Sequence, residues 1–138
     1  MKNLFVDTNI VIDLLSRRDP FFEEAALLFS LADKKKIRIS ISSLTIANTS
    51  YVLLRQIGID ETRSILRRLR LIVNVLSLDD KIIALALDAE NFTDFEDGMQ
   101  YFSAIENKQD LIITRNLKDY KNSKLPVMTA RQFIEMDK

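Results

Sequence analysis

Leu4-Phe5-Val6-Asp7-Thr8-Asn9-Ile10 opens the chain with an apolar run that stops at an acid. Leu4-Phe5-Val6 reads as a short buried strand. Ile10 to Leu15 then reads as a helix, broken before Pro20. The unit repeats. Asp19 and Pro20 predict the start of a second helix, with Glu23 and Glu24 in its first turns and Phe22, Ala25, Ala26, Phe29 and Ala32 on its buried face, running to about Lys36. Ile37-Arg38-Ile39-Ser40-Ile41 alternates like a strand. Ser43 is placed to cap a helix ending near Gly58, and Asp60 a basic amphipathic helix to about Arg70. Leu71 to Leu78 reads as a third strand, Asp79 caps a helix through Ala89, and Asp94 opens another to about Asn107. Leu111-Ile112-Ile113 is a compact buried strand, Pro126-Val127-Met128 a short edge strand, and Thr129 caps a last helix from Ala130 to Met136. Strands alternating with helices predict an α/β fold whose parallel sheet is covered on both faces. Ligands in such folds sit beyond the carboxyl ends of the strands, so the polar residues just after each strand matter most.

Composition narrows the chemistry. The 138 residues, with 47 % apolar side chains, suit one domain with a substantial core over residues 1–138. Cys and His are both absent, which excludes thiol nucleophiles, thiolate or imidazole metal sites and a Ser–His–Asp triad. Twenty basic residues balance twenty acidic ones, so no overall field draws in a polyanion and any nucleic-acid contact must use local patches. No signal peptide is legible, because the apolar stretch after Met1-Lys2-Asn3 is interrupted by Asp7 and Asn9. No apolar run approaches bilayer length, and a cytoplasmic protein is expected.

Carboxylates are what remains. Asp7 stands at the carboxyl end of the first strand. Asn116 and Asp119 follow the Leu111–Ile113 strand, and Asp94, Glu96 and Asp97 gather at a helix start. Three such loci can share one crevice of a parallel sheet. Clustered carboxylates raise one another's proton affinity unless a cation is present. Mg²⁺ or Mn²⁺, held by oxygen ligands and water, fits this donor set and serves phosphodiester hydrolysis without histidine. Local roles compete with this one. Asp7 is also placed to cap the Ile10 helix, and Asp94 and Asp97 have capping-box spacing, although capping and ligation are compatible. Glu96 reads as a solvated first-turn acid, Asp119 equally as a surface turn residue, and Asn116 equally as a cap. No Gly-rich phosphate loop is present. Asp7-Thr8-Asn9 also lacks the second Asp of an aspartyl-phosphate hydrolase and the paired acids of a phospho-receiver.

In order along the chain, Phe5-Val6-Asp7-Thr8-Asn9-Ile10-Val11-Ile12-Asp13, Ser43-Leu44-Thr45-Ile46-Ala47-Asn48, Asp94-Phe95-Glu96-Asp97-Gly98-Met99-Gln100-Tyr101 and Thr114-Arg115-Asn116-Leu117-Lys118-Asp119-Tyr120 resemble the motifs of PIN-domain nucleases. The likeness is to a bacterial subgroup among toxins of the VapC type. That resemblance implies a three-layer α/β/α sandwich around a central, mostly parallel sheet of four to five strands. It implies Mg²⁺- or Mn²⁺-dependent cleavage of RNA, a small antitoxin as partner, and a homodimer. By the same resemblance Asp7 and Asp97 bind the metal, Asp94 contributes nearby and Asp119 is the late acid. Thr8 and Asn9 shape the site by hydrogen bonding. Asn48 and Asn116 stand where many members carry Glu and Asp. The subgroup resembled uses Asn at both, and an amide oxygen without charge implies weaker metal binding than a four-acid site.

RNA also calls for cations. Arg115, next to Thr114 and Asn116, is the expected phosphate contact. Arg63, Arg67 and Arg70, with Arg68 beside them, line one helix side, and Lys34-Lys35-Lys36-Arg38 forms a second basic run. A solvated helix face is the favoured reading of the Arg63 series, and a surface for an acidic antitoxin segment is a further one. Tyr101, Tyr120 and Phe95 are candidates to stack a base, with Phe95 the one expected to pack inside. Phe21, Phe22 and Leu28 offer an apolar patch for dimerisation, or simply core. Two other functions compete with the nuclease: a binding module that has lost catalysis, and a phosphohydrolase of small esters, for which no cap domain is evident.

Overall fold

The computed structural model describes residues 1–136, so the last two residues of the expected domain lie outside it. Five strands, β1 (Asn3–Val6), β2 (Arg38–Ser42), β3 (Val73–Leu76), β4 (Leu111–Ile113) and β5 (Val127–Met128), form one sheet in the order β3-β2-β1-β4-β5. Every pairing is parallel, with Leu4 opposite Ile39 and Phe5 opposite Ile112. The helices are α1 (Thr8–Leu15), α2 (Phe22–Asp33), α3 (Ser43–Leu69), α4 (Asp80–Asp88), α5 (Phe95–Glu106) and α6 (Ala130–Met136). A 3-10 turn, Leu117–Tyr120, follows β4.

The alternation of side chains along a strand divides the core into two layers. Leu4 and Val6 of β1 and Leu111 and Ile113 of β4 face one side, where Val11 of α1, Leu28 and Phe29 of α2 and Phe133 of α6 meet them. Phe5 and Ile112 face the other, where Phe92, Tyr101 and Ala104 pack with Tyr120. Both faces of the central strands are therefore dry, and each fully buried large side chain contributes about 1.5–3 kcal/mol. The result is the expected α/β sandwich with an all-parallel sheet.

Capping places the helix starts. Asp79 accepts from the Ile82 amide (3.0 Å) at the head of α4, and Asp94 from the amides of Glu96 (2.8 Å) and Asp97 (3.3 Å) at the head of α5. Several expected boundaries shift: the third strand shortens to Val73–Leu76, and α2 ends at Asp33. Asp19 and Pro20 do not begin α2. The amides of Phe21 and Phe22 both donate to the Arg18 carbonyl (2.9 and 2.8 Å), closing a turn there, and α2 starts at Phe22 without a side-chain cap. Ser42, rather than Ser43, caps α3 by accepting from Leu44 N–H (3.0 Å). The two helices expected around Gly58 and Asp60 run on as α3, interrupted only at Gly58, whose φ of 79° and ψ of 177° suit glycine alone.

Candidate functional site

β1 ends at Val6, and Asp7 is both the next residue and the N-cap of α1. Its amide donates to the Ile113 carbonyl (2.9 Å), which fixes it against the end of β4. Only 6 % exposed, the carboxylate accepts from the Thr114 hydroxyl (2.8 Å) and from its neighbour's amide at Thr8 (2.8 Å). The Gln100 amide nitrogen on α5 approaches it at 3.4 Å, and lies 2.8 Å from the Thr8 hydroxyl and 3.1 Å from that of Thr45. Thr8 and Thr45 share a further bond of 2.7 Å. One buried amide thus joins α1, α3 and α5 beneath the acid.

Asn9, one residue further into α1, donates to the Thr114 hydroxyl (3.3 Å) and accepts from Arg115 N–H (3.4 Å). The Asn116 amide also donates to Thr114 (3.1 Å), and the Asp119 amide to the Asn116 carbonyl (3.0 Å). The chain after β4 is therefore folded back so that Asp119 faces α5. Asp97 is half-buried there, and its carboxyl is pushed up to about 7, first by burial and then by the charges of Asp94, Asp119, Asp7 and Glu96. Burial also raises Asp7, against the hydrogen bonds from Thr114, Thr8 and Gln100. The Tyr120 hydroxyl is close enough to Asp7 to steady it but short of a well-formed hydrogen bond, and its own pKa is driven up by burial and then by Asp7 and Asp97.

The acids from β1, α5 and the post-β4 turn thus sit in one crevice at the carboxyl edge of the sheet. Several flanking residues take other roles than those expected. Arg115 turns away from the acids: its Nε donates to Oδ2 of Asp13 (2.7 Å), its Nη2 approaches Oδ1 (3.3 Å), and the guanidinium lies 4.0 Å from the centre of the Phe21 ring. Asp13 is fully buried, so Arg115 serves as its counter-charge rather than as a free phosphate contact. Asn48 donates to Glu96 Oε1 (2.6 Å), so Glu96 is held rather than merely solvated. Tyr101 and Tyr120 are 5 % and 1 % exposed in the core and cannot stack a base, whereas Phe95, expected inside, is 42 % exposed. Leu28 is core, which removes it from any dimer patch.

Gln100 and Thr45 beneath Asp7, Tyr120 beside it and Asp13 as the partner of Arg115 take positions that the sequence reading missed. A faint signal existed. Gln100 lies three residues after Asp97, on the same face of α5, and Asp13 interrupts an apolar stretch one turn after Asn9.

The donor chemistry fits a hydrated divalent cation. Among the described residues no group of three acidic side chains is arranged to hold an ion by itself. Mg²⁺ asks for less, being bound through one or two carboxylates with the rest of its shell water. Burial raises the Asp97 carboxyl and the charges of Asp94, Asp119, Asp7 and Glu96 raise it further, and Gln100 Oε1 is buried without a hydrogen-bond partner. Among the described residues no helix is long and apolar enough to cross a membrane.

The sequence matches the family described as PIN domain over residues 3–118. It is 27 % identical over 141 aligned positions to Ribonuclease VapC1 of Aquifex aeolicus, covering 97 % of this chain and 94 % of that protein. The fold is similar to that of VapBC-1 from nontypeable Haemophilus influenzae, with a TM-score of 0.71 at 18 % identity over 94 % of this chain and 98 % of that one. It is also similar to a chain of a toxin–antitoxin complex from Klebsiella pneumoniae, with a TM-score of 0.69 at 23 % identity over 92 % and 97 %. At those identities the two structures speak for the fold alone.

Proposed function

The chain belongs to the PIN-domain family, and from that premise we propose that it is a Mg²⁺- or Mn²⁺-dependent endoribonuclease, the toxin of a pair completed by a small antitoxin. The observation that carries this reading is the crowding around Asp97, whose carboxyl is pushed up to about 7 by burial and by four neighbouring acids. Such a site favours a cation. The ribonuclease reading follows the similarity to Ribonuclease VapC1, and a toxin–antitoxin complex of the same fold suggests the partner.

Asp7 and Asp97 would hold the metal, with Asp94 and Asp119 completing the negative rim. When bound, the cation would neutralise charge on the scissile phosphate and favour ionisation of water. Asp97 or Asp119 would orient the attacking water and accept its proton. Thr8, Asn9 and Thr114 fix the direction of Asp7, and Gln100 fixes α5 against it. Asn48 would act through Glu96, which it orients, and Asn116 through its backbone, which sets the turn that presents Asp119. A homodimer and a cytoplasmic location belong to the same reading.

The test is cleavage of a labelled mixed-sequence RNA with Mg²⁺, Mn²⁺ or EDTA, comparing the native chain with Asp7→Asn and Asp97→Asn. Metal-dependent cutting is expected, and both variants should lose at least about 100-fold of it, the scale of one essential electrostatic group. The amides at Asn48 and Asn116 favour a second reading, a binding module without catalysis. A folded native chain that retains RNA but cuts none with either metal would select that alternative.

A further inference from the structure

Resting on the nuclease reading, the remaining question is which cations face the substrate strand, since Arg115 is engaged by Asp13. Topology removes the basic runs. Lys34, Lys35 and Lys36 precede β2 and so lie at the amino edge of a parallel sheet, opposite the acids. α3 starts at the carboxyl edge after β2 and ends just before β3, which carries Arg67 and Arg70 to that same amino edge. Arg131 pairs with Glu24 (2.9 Å) and Lys81 with Glu106 (2.5 Å).

Lys118 and Lys121 are different. They follow β4, at the carboxyl edge, and line a cleft of about 500 Å³ together with Asp94, Asp97 and Asp119. Both are exposed, and among the described residues neither forms an ion pair. The turn from Leu117 to Tyr120 is a 3-10 helix, closed by the Lys121 amide donating to the Lys118 carbonyl (3.3 Å). In that helix side chains three apart eclipse one another, about 6 Å along the axis. Lys121, which closes this turn, follows Lys118 by three positions, and both line the same cleft as Asp119.

We propose that Lys118 and Lys121 form a phosphate-holding site for two neighbouring phosphates of single-stranded RNA, next to the acids that cut it. The lysines bind the strand. They contribute charge that the acid-rimmed cleft lacks, and they set the direction in which the strand crosses it.

The experiment measures binding of a fluorescent single-stranded RNA to the Asp7→Asn protein in Mg²⁺ between 0.05 and about 0.2 M salt, the range over which phosphate contacts declare themselves. The comparison is with the same protein carrying Lys118→Ala and Lys121→Ala, and with a Lys118→Arg, Lys121→Arg version. Each single-strand phosphate contact contributes about 0.7 to the slope of log affinity against log salt. The alanine pair should therefore flatten the slope by about 1.4 and weaken binding about 20-fold at 0.1 M. The arginine pair should keep both, and thermal melting should not move, because both side chains are exposed. An unchanged slope, with or without a loss of affinity, overturns the assignment. If the native chain still cuts RNA, that failure leaves the nuclease reading standing. A native chain that neither binds nor cuts RNA overturns both.

Discussion

Asp97 shows how a single carboxyl can set the behaviour of a site. Its pKa is raised from 3.8 to about 7, so the folded protein binds a proton that the unfolded chain has already released. Stability therefore falls as pH rises between those two values, because the native state holds the extra proton there. Asp7 is shifted in the same direction by burial and adds to the trend. In EDTA, the melting temperature should decline from about pH 4 to about pH 7 through this contribution, and Asp97→Asn should flatten the decline. Melts across that range check it. A native profile no steeper than that of the variant would mean that the acids are not crowded as described. Asp97 is half-buried, so solvent screening keeps the effect well below what the shift alone implies.

Between elements, the ion pair of Asp13 and Arg115 is what ties α1 to the segment after β4. The carboxylate is fully buried, and both its oxygens face the guanidinium. Arg115→Met should destabilise the protein by about 3–5 kcal/mol, because it leaves a buried charge without a partner. Asp13→Leu combined with Arg115→Met should recover most of that loss. Urea midpoints at constant slope read both effects. A single variant within about 1 kcal/mol of native would show the segment to be held by Asn9 and Thr114 instead. Sequence showed the two ends of this connection unequally. The strands and the caps at Asp79 and Asp94 were legible because alternation and capping are local chemistry. Asp7 stood out in the sequence as a lone polar residue directly after an apolar strand, whereas Asp97 and Asp119 were singled out by the likeness of their motifs to PIN-domain nucleases. The pairing of Asp13 with Arg115, and the seat of Gln100 under Asp7, were not, because each joins residues about ninety or more positions apart and leaves no periodic trace. The α2 start failed for a related reason: a turn on the Arg18 carbonyl outcompeted the cap that Asp19 offered.

At the scale of the whole molecule, charge is balanced in sum and unbalanced in place. Twenty acidic residues match twenty basic ones, yet Asp7, Asp94, Asp97 and Asp119 converge on one edge from segments that are distant in sequence. Only the folded chain brings them together, so a cation bound there must stabilise the fold as a whole. The gain follows mass action, about 2.7 kcal/mol at a metal concentration one hundred times the dissociation constant. Mn²⁺ or Mg²⁺ should therefore raise the melting temperature of the native chain, and more at pH 7.5 than at pH 5, since the ligand acids must first lose protons. Calorimetric titration in buffers of different ionisation heat should show proton release near pH 7, where Asp97 is close to half-protonated. Asp7→Asn and Asp97→Asn should each lose most of the metal-induced rise. If the native chain and both variants rise equally, the ion acts on the surface at large, and the crevice is not where it binds.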